Sequence, residues 1–324
     1  MKIKFKIIIS IAIIALIILP LSTQFVSAEN DEISVKEGQD AISIVTEFIT
    51  FKIIDNQPHF IWWNGNRSTS DEIYNVKYTT IQEYFGNDEV IDIPSELHGI
   101  SYNLLTADWL IDIIEEETEI TVTLSLSGLP NKAEIQFVIH IYNNDQPITD
   151  TDKTVTGLKE VKFDIIIKNW QFQVGAKGIA INAKILESQQ RNRVKIRNGT
   201  SEENGNKTRT MQFESEEHGN VVVAYYEWST FADIYDGEEK VSTIDVGTSY
   251  FSDFDHNGQN TPDPSIINQW LSYPNYGDSL TMIHDPSVGI NSDIPTNIVP
   301  LYTLSIFSGL IATALIISIL RKRN

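Results

Sequence analysis

Asp253, Asp255 and Asn257 stand at alternate positions and Gly258 follows them, a D-x-D-x-N-G run. Oxygen ligands at every second position, with glycine for a sharp turn, are what a loop wrapping calcium needs. The Gln259 carbonyl and the Asp263 carboxylate extend the candidate set. Counted from Asp253, the twelfth position is Pro264, where a full loop of this spacing carries a bidentate glutamate. The run is therefore half of a calcium motif, and the same residues also read as an acidic turn. A second set is aromatic. Trp62 and Trp63 precede Asn64, Gly65 and Asn66, and Tyr226 and Trp228 flank Glu227. Aromatic faces beside carboxylates hold sugar rings by stacking and hydrogen bonding, whereas the same side chains turned inward pack a core. On a strand, Tyr226 and Trp228 share one face and Tyr225 and Glu227 the other. Trp62 and Trp63 adjoin a turn, so one of them is expected at the surface.

The titratable residues point to no catalytic constellation. His59, His98, His140, His218, His256 and His284 include no pair at metal-ligand spacing, and the chain has no cysteine to assist. His284, Asp285 and Ser287 are the side-chain types of a hydrolytic triad. They stand too close in sequence to build one, no G-x-S-x-G elbow occurs, and the stretch reads as a turn. An extracellular carbohydrate hydrolase is the alternative reading. It needs two carboxylates about 5–10 Å apart in an aromatic cleft, for which Glu227, Asp233, Asp253 and Asp255 are the candidates. Asn66, Asn198 and Asn206 each open an N-x-S/T sequon in a stretch that reads as a loop.

The elements that must position these residues are mainly strands. Ile120, Val122, Leu124 and Leu126 alternate with Thr121, Thr123 and Ser125, and Ile135, Phe137, Ile139 and Ile141 follow after Gly128 to Asn131. Such period-two patterning marks half-buried strands, here a hairpin. Val45, Glu47, Ile49, Phe51 and Ile53 read as one strand, and further strands are expected around residues 74–80, 163–167, 179–185 and 221–226. Asp236 and Gly237 mark a tight hairpin between residues 231–235 and 241–246. Residues 187–210 are polar and carry Arg191, Arg193, Lys195 and Arg197 at alternate positions; they read as a sub-boundary or an exposed hairpin arm. Two short helices are expected. One spans residues 106–114; the other spans residues 263–271, with Asp263 as N-cap and Pro264 at the first helical position. The fold class is mainly β: an antiparallel β-sandwich, one large or two in series, with few short helices.

The termini set the expected topology. Lys2, Lys4 and Lys6 precede an apolar run, and Val26, Ser27 and Ala28 supply small residues for cleavage, so residues 1–28 read as a signal peptide. Residues 298–320 are 23 consecutive uncharged residues, and Arg321, Lys322 and Arg323 follow. A helix of that run reaches about 35 Å, enough to cross a bilayer core with its basic end inside. Residues 291–297 form a short juxtamembrane linker and residues 321–324 a cytoplasmic tail. The β-rich body, residues 29–290, is then extracellular and sits low over the lipid bilayer. Residues 29–297 carry 18 Lys and Arg against all 44 Asp and Glu, a formal charge of −26. A surface so acidic repels nucleic acid, so no nucleic-acid partner is expected. With no disulfide available outside the cell, the body must hold together by its core.

This assembly of a signal, an acidic cysteine-free β-rich middle and a span with a basic end resembles archaeal cell-surface proteins. The resemblance implies a single-pass protein of the cell membrane. Its outer domain would serve adhesion, envelope structure, or binding of a glycan or another surface protein. Ile294, Pro295, Thr296 and Asn297 stand where archaeal sorting tails carry Pro-Gly-Phe, which argues for a retained span.

Overall fold

The alternating stretches become paired strands, all antiparallel. In this computed structural model the described residues are 33–38, 40–65, 73–86, 96–147, 154–187, 192–203, 206–215, 221–254 and 262–291. One sheet has nine strands: β1 (Ser34–Glu37), β2 (Ala41–Val45), β3 (Ile49–Ile54), β4 (His59–Asn64), β5 (Tyr74–Tyr84), β6 (Leu97–Asn103), β13 (Gly178–Glu187), β19 (Gly247–Phe254) and β20 (Pro262–Pro274). Its order is β1-β2-β3-β4-β5-β13-β20-β19, with β6 continuing the β4 side of β5.

The other sheet has eleven strands: β7 (Leu110–Glu115), β8 (Glu119–Leu126), β9 (Glu134–Tyr142), β12 (Glu160–Lys168), β14 (Asn192–Glu203), β15 (Asn206–Ser215), β16 (Val221–Ser229), β17 (Phe231–Asp236), β18 (Glu239–Asp245), β21 (Thr281–His284) and β22 (Ser287–Ile290). A separate two-stranded ladder joins β10 (Gln146–Pro147) to β11 (Thr154–Val155). Strand β12 pairs with β9 along one side. Along its other side it pairs first with β22 and then with β21, which are two halves of one strand bent at Asp285 and Pro286. The neighbouring strand bends in parallel at Thr230, so β16 lies against β22 and β17 against β21. The sheet forks there into a β16-β15-β14 arm and a β17-β18 arm.

The two sheets pack face to face over one apolar core. Phe60 of β4 meets Phe137 of β9 and Phe163 of β12, with ring centroids 6.0 and 5.4 Å apart. Tyr78 of β5 packs on Phe137 at 4.9 Å, and Trp62 and Tyr74 pack on Phe213 of β15. These rings hold the centre because large aromatics bury the most apolar area per residue. Two hydrogen bonds fasten the layers. The Tyr78 and Tyr226 hydroxyls meet at 3.1 Å, and Trp62 Nε1–H donates to the Gly289 carbonyl at 3.3 Å.

Two buried titratable groups tie the layers further. His284 closes β21 at the bend. Its Nε2–H donates to the Ser229 carbonyl at 2.9 Å, and its Nδ1 accepts from the Tyr273 hydroxyl of β20 at 2.9 Å. One side chain thus pins both bends of its own sheet to a strand of the opposite sheet. Burial pushes its pKa down to about 4, against the partial opposition of the Ser229 bond, and keeps it neutral. Glu83, fully buried on β5, accepts from Trp170 Nε1–H at 3.2 Å and the Gln173 N–H at 2.9 Å through Oε1, and from the Ile100 N–H at 3.1 Å through Oε2. It anchors β6 and the loop after β12 to one strand.

Several expectations need correction. Among the described residues there is no helix. Residues 110–115 form the edge strand β7, with Ile111 and Ile113 turned to the core and Leu110, Asp112 and Ile114 to solvent. Apolar residues on both sides of that strand disguised its alternation. Residues 262–274 form β20 between β13 and β19, so Asp263 and Pro264 are strand residues, not a helix start. Pairing on both edges overrides the local helical signal. The stretch from Val45 to Ile53 is two strands. Thr46 Oγ1 accepts from the N–H groups of Phe48 and Ile49 and turns the chain between them. The polar stretch at residues 187–210 contributes β14 and the start of β15, whose pairing carries a register shift between Arg197 and Ser201. The signal segment and the expected transmembrane span lie outside the described residues. Among the described residues no helix is long and apolar enough to cross a membrane.

Candidate functional site

Strand parity decides the fate of the aromatic set. Tyr226 and Trp228 occupy the inner face of β16 and stack at 5.1 Å, both buried. Trp228 Nε1–H donates to Thr248 Oγ1 at 3.3 Å. Trp62 is buried beside Tyr74 at 5.7 Å. The ligand-facing reading of Trp62, Tyr226 and Trp228 is therefore corrected. They are core residues, because inner-face positions of a two-sheet fold take the largest apolar side chains. Trp63 differs. It is half-buried on the outer face of β4, and Lys52 Nζ lies 5.2 Å from its ring centroid. A cation over an indole face is itself a stabilising pair.

The polar side chains gather on the outer face of the eleven-stranded sheet. Register aligns Thr121, His140, Lys162, Ser287, Glu227 and Thr210 in one rung across β8, β9, β12, β22, β16 and β15. At its β8 end the rung is a closed ionic network. His140 Nδ1 lies 2.5 Å from Glu119 Oε1, and His140 Nε2 lies 3.3 Å from Asp164 Oδ2. Lys162 Nζ donates to Asp164 Oδ1, and Thr121 Oγ1–H donates to Glu119 Oε1 at 3.0 Å. The Tyr142 ring lies parallel to the imidazole at 6.1 Å.

Burial alone would depress the His140 pKa, but the bond and charge of Asp164 and the bond from Glu119 outweigh it, and the net shift is upward. Burial would raise Asp164, but its bond to His140 and the charge of Lys162 hold it below the usual carboxylate range. Burial, with Glu119 and Asp164 beside it, pushes Tyr142 up to about 12. A carboxylate at each ring nitrogen favours the imidazolium form, in which neither nitrogen keeps a lone pair for base chemistry or for a metal.

At the other end of the rung, the Tyr225 ring lies over Gly289, where a Cβ would stand 2.4 Å from its hydroxyl oxygen. Only glycine admits this contact. Burial, then the charges of Glu160 and Glu227, raises the Tyr225 pKa. Glu227 Oε2 accepts from Thr210 Oγ1–H at 3.0 Å. Asp233 Oδ2 accepts from Lys240 Nζ at 2.8 Å, and Asp233 Oδ1 accepts from Thr243 Oγ1–H at 3.1 Å. Two of the four carboxylates offered for hydrolysis, Glu227 and Asp233, are thus engaged with local donors.

The remaining candidates sit as follows. Asp253 lies in β19 and Asp263 in β20, next to the paired residues Phe254 and Pro262. The two aspartates therefore flank the base of the connection that carries Asp255, Asn257 and Gln259, which lie outside the described residues. Among the described residues no cluster of three or more His, Asp or Glu side chains could hold a metal ion. Asn198 and Asn206 lie in β14 and β15 rather than in loops. Asn66 lies outside the described residues. Neither the His140 network nor the His284 latch was foreseen. Each joins residues far apart in sequence, and only the hint that His140 opposes the apolar parity of its strand was readable beforehand.

No protein-family model and no curated protein matches the chain. One similar solved structure is the alpha-N-acetylgalactosaminidase NagBb from Bifidobacterium bifidum in its GalNAc complex, at 7% identity and a TM-score of 0.37. The match covers 78% of this chain and 36% of that one, so the chain spans about a third of that enzyme's length. A likeness at that level decides nothing about activity.

Proposed function

We propose that this chain is a single-pass, membrane-anchored surface protein whose β-rich outer body is non-catalytic. The body would serve adhesion, envelope structure, or binding of a glycan or another protein. The observation that carries this reading is the internal use of the reactive side chains. Tyr226, Trp228 and Trp62 are spent in the core, His284 is a neutral latch, and His140 is closed between Glu119 and Asp164. A body whose chemistry is satisfied internally, with a formal charge of −26 over residues 29–297, suits a soluble display scaffold. The apolar run at residues 298–320 and its basic end supply the anchor.

Cell fractionation followed by protease treatment of intact cells tests the reading. The protein is expected in the membrane fraction, with its body digested from outside. Recovery in the soluble cytoplasm would end it.

A further inference from the structure

One polar cluster between the sheets is not closed on itself as the His140 network and the His284 latch are. Gln269 of β20 is fully buried, and neither its amide oxygen nor its amide nitrogen has a hydrogen-bond partner. Tyr250 stands directly opposite it on β19, and its buried hydroxyl has no such partner either. Both side chains belong to the inner face. Gln269 is also opposite the fully buried Ala183 of β13, and the Tyr250 ring meets Trp228 of the other sheet at 6.4 Å. Arg209 of β15 is directly opposite Trp228 on β16, so it takes the same inner face. Its charge is felt at Tyr250: burial pushes that pKa up to about 12, and Arg209 opposes the shift. Thr248 Oγ1 accepts from Trp228 Nε1–H and keeps its own proton to donate.

An amide buried without bonds at either atom costs stability, and folded proteins leave few such groups without a reason. Here three unbonded polar atoms gather beside a guanidinium, and no carboxylate stands among the groups at that spot. The place is also open to entry. β19 is the edge strand of its sheet, and Thr248, Tyr250 and Arg209 are half-buried rather than sealed. Arg209 and Trp228 stand just before the bend at Thr230, where the other sheet divides into its two arms.

We propose that Arg209, Tyr250 and Gln269 form a binding site for a hydroxycarboxylate, a carboxylate with a hydroxyl one or two carbons away. The donors set the first half of that chemistry. A guanidinium fork, a phenol and the Gln269 amide nitrogen together suit the two oxygens of a carboxylate. The Gln269 amide oxygen sets the second half. It needs a donor, which a bare carboxylate lacks and a neighbouring hydroxyl supplies. Such a group occurs in free hydroxy acids and in the acidic sugars of glycans. This goes beyond the surface reading, and where the chain resides does not enter its test.

Thermal unfolding of the full-length chain in detergent, at constant ionic strength, tests the site with glycolate, glucuronate and acetate. Glycolate or glucuronate is expected to raise the Tm by about 3 °C or more at ten times its Kd. Acetate is expected to bind at least tenfold more weakly, because it leaves the Gln269 oxygen unpaired. A response to glycolate alone identifies a free hydroxy acid, and a response to glucuronate identifies an acidic sugar. Gln269→Leu is expected to abolish the shift while its Tm without ligand equals or exceeds that of the wild type, since an unbonded amide gives way to an apolar group of similar size. Arg209→Met and Tyr250→Phe are each expected to weaken binding at least tenfold, and they carry the test should Gln269→Leu fail to fold. The proposal is overturned if neither hydroxycarboxylate shifts the wild type, if acetate matches them, or if the variants bind as the wild type does. A Gln269→Leu chain that folds but is less stable without ligand would also overturn it, because the amide would then be serving the fold.

Discussion

Replacing His284 with glutamine should change how stability depends on pH. In the fold, His284 donates to Ser229 and accepts from Tyr273. Burial lowers its pKa to about 4, against about 6.5 in an unfolded chain. Between those values the unfolded state binds the extra proton and the native state does not. Stability from this group is therefore complete above about pH 6.5 and is lost as pH falls toward 4. At about 1.4 kcal/mol per pH unit, the loss across that window is about 3 kcal/mol. Glutamine keeps one donor and one acceptor but does not titrate. It should cost about 1–3 kcal/mol at neutral pH through imperfect fit. Urea unfolding of both proteins at pH 7.5 and pH 4.0 isolates the effect, because the carboxylates, His59 and His140 are common to both and cancel. The stability gap between wild type and His284→Gln should shrink by about 3 kcal/mol from the higher pH to the lower. A gap that stays constant would refute the neutral-latch account.

Two further outcomes follow from the geometry, and a third tests the sequence run at Asp253. Tyr226→Phe strands the buried Tyr78 hydroxyl and should cost about 1–3 kcal/mol in urea unfolding, whereas the double change of Tyr78 and Tyr226 to Phe should be milder than either single change. Glu83→Gln replaces one acceptor oxygen with a donor facing backbone or indole N–H groups; a loss of about 2–3 kcal/mol, with faster amide exchange at Ile100 and Gln173, is expected. Added calcium should raise the Tm of the wild type but not of a chain carrying Asp253→Asn and Asp255→Asn; an unchanged wild-type Tm marks the stretch as an acidic turn.

The strand content was legible because strand parity is local. Ile120 to Leu126 and Ile135 to Ile141 announce their faces in a few residues each, and β8 and β9 pair as a hairpin. The helix expected at Asp263 failed for a non-local reason. Ile266, Ile267, Trp270 and Leu271 fit a helical spacing, but β13 and β19 claim the backbone on both sides. The burial of Tyr226 and Trp228 follows from parity once it is known which face meets the other sheet, and nothing near those residues says which. The polar network was hidden for a further reason. Glu119, His140 and Asp164 meet only when three strands take one register, and register depends on turns and pairings across tens of residues.

The place of β22 has a mechanical consequence. It is the last described strand, and it lies between β12 and β16 rather than at an edge. Tension applied at the carboxy-terminal side of Asn291 therefore enters the middle of the sheet. It loads the ladders on both sides of β22 together, along the strand, so their hydrogen bonds resist in shear instead of opening one by one. The bend at Asp285 and Pro286, fastened by His284, lies directly behind that strand and passes the load to β21. A body built this way withstands pulling at that end better than one whose final strand lies at the rim.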